Sequence, residues 1–340
     1  MATNYMPLAK EQERLRATER GMAYRGDEPL ADWQKKAREK LAELLGLPYE
    51  RCDPRFQVEY RDETGDFYET RFTFQCEEGC FAPAHFLTPK QKACEKPPVM
   101  ICLQGHSTGM HISLGRTKYP EDDKAFEGER DFALEAVRRG FCAVTLEQRC
   151  FGERGGNPRP DCYPAAMTAL LSGRTLLGGR VWDIMRLIDV LEQEFADVCD
   201  VNRVWCCGNS GGGTATFYAT ALEPRIVAAI PSCAFCTFAD SIGAMYHCSC
   251  NYVPRIRQYF DMAELAGMIA PRPLVIVSGA QDDIFPLFGA KAEFALAKDR
   301  YYARSEHPEH IAHVIGDGGH RFYAAPAWER FLQLTGEKAQ

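Results

Sequence analysis

Apolar residues return along this 340-residue chain in three rhythms, and each rhythm predicts a different kind of element. Trp33, Ala37, Leu41, Leu44 and Leu45 fall at helical spacing, with Gly46 and Pro48 as stop signals. They predict a helix within an N-terminal extension, residues 1–55, packed on the core. Over residues 56–87 the period drops to two, in short segments broken by the turn-rich stretch 62–66, which predicts antiparallel strands at a sheet edge. From residue 99 onward, continuous apolar runs at 99–103, 141–146, 204–207, 226–230, 274–277 and 313–315 alternate with helical patterns at 132–139, 181–195 and 327–334. Val181, Ile184, Met185, Ile188, Leu191 and Phe195 share one stripe, which suits a helix that covers a sheet. The alternation predicts an α/β domain over 56–340, with a mostly parallel central sheet and helices on both faces. Residues 232–262 lose clean periodicity and are expected to form a short lid-like insertion over the strand ends.

The run at 204–207 leads into Gly208-Asn-Ser210-Gly-Gly212-Gly and then into a small-residue helical pattern that stops before Pro224. Strand, sharp turn and helix are the context that turns Gly-x-Ser-x-Gly from an ordinary tight turn into a nucleophile elbow, so Ser210 is the candidate nucleophile. A serine hydroxyl is a poor nucleophile near neutral pH and needs a base, which in turn needs a carboxylate to fix its tautomer. Two later apolar runs end in such groups: one in Gly279-Ala-Gln-Asp282-Asp283, the other in Gly316-Asp-Gly-Gly-His320. His320 is the predicted base, while His307, His310 and His313 read as surface or packing residues. Asp282 and Asp283 both stand as candidates for the acid. The spacing to Gly279 and Pro286 favours Asp282, and Asp240 ranks third. Ser, Asp, His is the chain order of α/β-hydrolases.

Acyl transfer also needs donors aimed at the developing oxyanion. The Gly211 N–H is one candidate. The His106 N–H, after Gln104-Gly105 at the end of the run 99–103, is the other, against competing readings of His106 as a side-chain substrate contact or a plain loop residue. Gln104, Ser107, Glu147 and Arg149 are candidate substrate contacts. For Glu147 and Arg149, with Glu153, a salt-bridged loop brace is the competing reading.

A net charge of -7 gives no basic footprint, which argues against nucleic acid or an anionic membrane surface as partner. No apolar run approaches bilayer length and the N-terminal stretch lacks the apolar centre of a leader peptide. Of the fifteen cysteines, many, such as Cys102, Cys142, Cys206 and Cys207, lie inside apolar runs as small hydrophobes, which favours a reducing cytoplasm over a disulfide framework. Cys233, Cys236, Cys248 and Cys250 fall in the aperiodic insertion with His247. Cys248-Ser-Cys250 is too compressed for the usual zinc spacing and no second Cys-x-x-Cys pair follows, so no metal site is expected there. With backbone N–H groups as oxyanion donors and a side chain as nucleophile, neither a metal nor an organic cofactor is expected for the chemistry.

Over residues 99–323 the chain resembles the dienelactone-hydrolase-like branch of the α/β-hydrolase superfamily, and within it the acetyl xylan esterase-like group. The resemblance is carried by Leu103-Gln-Gly-His106, Leu146-Glu-Gln-Arg149-Cys-Phe-Gly-Glu153, Gly173-Arg-Thr-Leu-Leu-Gly178, Gly208-Asn-Ser-Gly-Gly-Gly213, Ala270-Pro-Arg-Pro273 and Gly318-Gly-His320. It implies an α/β-hydrolase fold and a serine carboxylesterase that cleaves a short-acyl ester, such as an acetylated carbohydrate, through an acyl-enzyme. Gln104 stands where the family usually has a histidine, and the long N-terminal helix lies outside the resemblance. A dienelactone-type lactone hydrolase and a prolyl oligopeptidase-like peptidase are the other enzymatic readings; the length leaves little room for the latter's extra domain. A non-catalytic ligand-binding protein is the reading from another class. The expected partner is a small-molecule or carbohydrate ester, and self-association into a homo-oligomer is left open.

Overall fold

The computed structural model describes residues 6–155 and 159–338. Residues 1–5, the start of the stretch read as lacking a leader peptide, lie outside the described residues. Among the described residues nine strands form one sheet: β1 Gln57–Glu63, β2 Phe67–Glu77, β3 Cys80–Pro89, β4 Pro98–Leu103, β5 Cys142–Leu146, β6 Asp200–Asn209, β7 Ile226–Ser232, β8 Leu274–Gly279 and β9 Ile311–Gly316. Their spatial order is β1-β2-β3-β5-β4-β6-β7-β8-β9. The alternating segments form an antiparallel edge, with β3 pairing antiparallel to β5. From β5 to β9 all pairings are parallel. This is the mostly parallel sheet with an antiparallel edge that the pattern predicts, in the order of the α/β-hydrolase fold that the resemblance implies.

The period of two places successive residues of a buried strand on opposite faces, and β4 shows the consequence. Val99, Ile101 and Leu103 join the apolar layer under the helices Leu30–Leu45, Leu176–Glu194, Gly211–Leu222 and Met262–Ile269. Met100 and Cys102 point the other way, into the layer under Phe132–Arg138 and Ala324–Thr335. Cys102, Cys142, Cys206 and Cys207 are buried within these layers, and all fifteen cysteines are free thiols. Burial pushes the Cys142 and Cys206 thiols well up, as befits packing groups. Among the described residues no helix is long and apolar enough to cross a membrane.

The helix Leu30–Leu45 buries Trp33, Ala37, Leu41 and Leu45 in the first layer and ends at Gly46, which takes the left-handed conformation at φ 77°. Its Gln34 amide donates to the Gly267 and Ala270 carbonyls at 2.8 and 2.6 Å. The insertion at 232–262 is heterogeneous. Residues 233–236 are buried, so its first part is a wall of the core, and its longest run of exposed side chains is Ala244, Met245 and Tyr246.

The chain adds β5 on one side of β4 and then crosses over to add β6 on the other. Such a switch in direction opens a crevice at the carboxyl ends of the two strands. Gly105-His106 follows β4 at that edge, and Ser210 follows β6.

Candidate active site

Ser210 caps the helix Gly211–Leu222 at φ 58°, ψ -124°. A non-glycine residue with positive φ is strained by roughly 1–3 kcal/mol, and such strain persists only where the surroundings enforce it. Here the enforcement is main-chain packing. A β-carbon on Gly208 would lie 2.6 Å from the Leu103 carbonyl oxygen, and one on Gly212 would overlap that same oxygen. The Ser210 N–H donates to the Ser232 carbonyl at 2.9 Å, tying the turn to β7. Ser210 is partly exposed while Val204 to Asn209 are buried, so the turn lifts one hydroxyl out of the sheet edge.

Asp282 follows β8 and His320 follows β9, and their side chains meet: His320 Nδ1 lies 2.9 Å from Asp282 Oδ2. The other carboxylate oxygen of Asp282 accepts the Ile284 and Phe285 N–H groups at 2.9 and 3.1 Å. Burial works against the charge of Asp282, but the His320 hydrogen bond and those two N–H groups together hold its carboxyl below the usual carboxylate range. Asp283 is exposed, and Asp240 bonds to Thr237 within its own turn. The Phe285 ring stacks on His320 at 6.1 Å between centroids, fixing the imidazole plane. His320 Nε2 is buried and has no hydrogen-bond partner among the described residues. The loop carrying His320 reaches the elbow through Ser232, whose hydroxyl donates to Asn209 Oδ1 at 2.8 Å and lies 3.4 Å from the Arg321 carbonyl oxygen.

Gly211 is the first residue of its helix, where backbone N–H groups have no intrahelical acceptor. The loop after β4 lies directly on it: a β-carbon on Gly105 would sit 3.4 Å from the Gly211 nitrogen, and one on Gly211 would sit 2.9 Å from the His106 ring. His106 also borders a cleft of about 790 Å³ walled by Tyr163, Tyr246 and Tyr252. Ser107 lines a smaller adjoining cleft and bonds the Gly105 carbonyl at 3.3 Å.

The other candidate contacts face inward. Gln104 is 1% exposed, and its amide donates to Ser113 Oγ and the Arg130 carbonyl, both at 2.7 Å, so it braces the β4 loop from behind and is not at the cleft surface. Arg149 grips Asp183 with two N–H groups at 2.9 and 2.6 Å, and Glu77 at 2.7 Å. Glu153 is held by Arg71. Glu147 is buried and accepts the Met110 and Glu153 N–H groups, and burial pushes its carboxyl up to about 7. Arg149 and Glu153 are thus held in salt bridges, whereas the Glu147 carboxyl meets only backbone N–H groups.

The grouping that sequence spacing does not disclose lies on the far side of His106. His106, Cys162, Cys248 and Cys250 bring one nitrogen and three sulfurs within 4.8 Å of one another. His247, the local partner considered from the sequence, turns instead to Asn251 at 3.1 Å.

A model of the Abhydrolase family (Abhydrolase_7) matches residues 12–315. YtaP of Bacillus subtilis, assigned as a hydrolase, is 26% identical over 211 residues, covering 61% of this chain and 68% of that protein. Among solved structures, a Bacteroides fragilis protein assigned as an acetyl xylan esterase matches with a TM-score of 0.77 at 16% identity, covering 100% of this chain and 91% of that one. A glucuronoyl esterase from Solibacter usitatus matches with a TM-score of 0.68 at 14% identity, covering 93% and 96%. At those identities the structural likeness is one of fold, whereas the family model spans most of the chain. With its switch-point crevice and a strained serine turn at the end of β6, the chain belongs to the Abhydrolase family and has the α/β-hydrolase fold.

Proposed function

We propose that the protein is a serine carboxylesterase in which Ser210, His320 and Asp282 form the catalytic triad. One observation carries the reading: a strained serine stands at the end of β6 while a paired, oriented His320–Asp282 couple occupies the ends of β9 and β8 on the same edge. His320 Nε2 takes the hydroxyl proton as Ser210 attacks the ester carbonyl, and Asp282 holds the Nδ1–H tautomer and the imidazolium that forms. The Gly211 and His106 N–H groups receive the oxyanion. His320 returns the proton to the leaving alcohol, and water, deprotonated by the same imidazole, releases the acid from the acyl-enzyme.

A sugar-linked ester is the favoured substrate. Tyr163, Tyr246 and Tyr252 line the cleft beside His106 with 64%, 100% and 42% of their surface exposed, and exposed aromatic rings offer flat apolar faces to a sugar ring. The acetyl xylan and glucuronoyl esterases of like fold support an ester of carbohydrate origin. The free thiols support a reducing compartment such as the cytoplasm.

Hydrolysis of p-nitrophenyl acetate and of acetylated xylo-oligosaccharides by the wild type and Ser210→Ala tests the reading. The variant is expected to fold normally and lose about 10⁴-fold or more in kcat, because the triad acts as a unit. Near-normal hydrolysis by Ser210→Ala would refute the mechanism.

A further inference from the structure

We propose that His106, Cys162, Cys248 and Cys250 are the ligands of a closed, four-coordinate site for a soft divalent ion, with zinc as the expected occupant. The donor set is one imidazole and three sulfurs, a combination typical of structural zinc. Tetrahedral ligands at the usual zinc bond lengths stand about 3.5–3.8 Å from one another. Here Cys250 Sγ lies 3.2 Å from His106 Nε2 and 3.3 Å from Cys248 Sγ, and Cys162 Sγ lies 4.0 Å from His106 Nε2. All four donor atoms fall within 4.8 Å of each other, so an ion at their centre requires only small shifts.

The surroundings match the charge such a site carries. Three thiolates and a neutral imidazole around a dication leave one net negative charge. Arg180, 2% exposed, presses against it: its guanidinium donates to Cys162 Sγ at 3.3 Å, stacks on Phe151, and has no carboxylate partner among the described residues. A buried guanidinium without a counter-anion is costly, and a metal-thiolate cluster supplies that anion. The Asn251 amide donates to Cys250 Sγ at 3.5 Å, another N–H···S bond of the kind that orients metal-bound thiolates. Cys150 and Phe151 complete an apolar shell with Cys162 and Cys250.

Four protein ligands leave no open position, so the ion's role is structural. It joins three segments remote in sequence: the loop after β4, the entry to the helix Tyr163–Leu171, and the short turn Ser249–Asn251 with its flank. The wall of the tyrosine-lined cleft is thereby fixed to the loop that packs on the elbow. The site stands independently of the ester-hydrolysis reading.

The test is metal analysis of the full chain, produced in zinc-supplemented medium and passed through metal-free reducing buffer. About one zinc per chain is expected for the wild type and for Ser210→Ala, falling about tenfold in Cys162→Ser and Cys248→Ser but not in the exposed control Cys94→Ser. X-ray absorption of the wild type should count three sulfurs and one nitrogen, and this decides the matter even if a cysteine variant folds poorly. The proposal is overturned by wild-type protein that stays metal-free after zinc loading, by equal zinc in all variants, by an oxygen-rich coordination shell, or by a disulfide among Cys162, Cys248 and Cys250 in the native peptide map.

Discussion

On one side of His106 lies the elbow, residues 208–213, and on the other lies the wall built from Cys162 and the turn around Cys248 and Cys250. The elbow is held by backbone against backbone: Gly208 and Gly212 let the Leu103 carbonyl approach, and Gly213 does the same for Ser232. The wall is held by side chains that three separate segments deliver to one point. Main-chain contact tolerates almost no added atom, because neither partner can rotate away. Side-chain contact can loosen by rotamer change, and it becomes rigid when a bound ion or a network fixes it. Precision at Ser210 thus comes from glycine, whereas precision at the cleft wall comes from convergence of distant residues.

The largest expected effect sharpens this contrast at the His320–Asp282 couple, which is fixed by side chains on adjacent strand ends. Asp282→Asn should lower kcat by about 10⁴-fold with little change in KM, since an amide beside Nδ1 favours the wrong tautomer. Asp283→Asn should stay within about threefold of wild type, because its carboxylate is exposed and turned to solvent. Ester kinetics on the two variants side by side decide it: comparable losses in both would remove Asp282 from the proposed triad.

Next in size is a test of stiffness. Gly212→Ala inserts a β-carbon into the Leu103 carbonyl and should cost about 3 kcal/mol or more in urea unfolding, with loss of activity. Tyr246→Ala removes a fully exposed ring from the cleft beside His106 and should leave stability unchanged within about 0.5 kcal/mol while raising KM for sugar esters several-fold. Equal stability losses at the two positions would dissolve the distinction between backbone-held and side-chain-held regions.

The same distinction governs what the sequence discloses. Each parallel strand announces itself as an apolar run, and the elbow is contiguous, so Gly208, Ser210 and Gly212 identify the strand, turn and helix around them. The helix Leu176–Glu194 reads clearly because one stripe is apolar. Met262–Ile269 does not, since every residue in it is buried and no polar face marks a period. Tyr163–Leu171 is nearly uniform in small and apolar residues, so its pattern is equally mute. Asp282 and Asp283 are adjacent, and only the direction of a side chain in the folded loop separates them. The cysteine cluster escapes spacing rules because its members come from positions 106, 162, 248 and 250, and local inspection pairs Cys248 and Cys250 with His247. Glu147 carries a signal that is open to reading: a lone acid at the end of the fully buried run of β5 has to be buried or turned sharply outward.

Glu147 gives the smallest effect and the one whose sign is least obvious. Burial raises its carboxyl to about 7 in the fold, against 4.5 as its ordinary value. Below pH 4.5 both folded and unfolded chains hold the proton and the residue costs nothing. As pH rises from there toward 7 the unfolded chain releases its proton first, so the folded state loses stability over that window, by on the order of 3 kcal/mol once both forms are ionised. Gln cannot ionise, and its oxygen still accepts the Met110 and Glu153 N–H groups that the carboxylate holds. Glu147→Gln should therefore differ from wild type by a constant below pH 4.5 and gain progressively up to pH 8. Glu293, also raised to about 7 by burial, adds its own slope to both proteins and cancels in the difference. Urea unfolding of the pair at pH 5 and pH 8 checks this. A difference that does not change between the two pH values would mean that Glu147 is ionised throughout and braces the loop as a charge, which would move it into the same class as Asp183, whose carboxylate is held by Arg149 and Arg154.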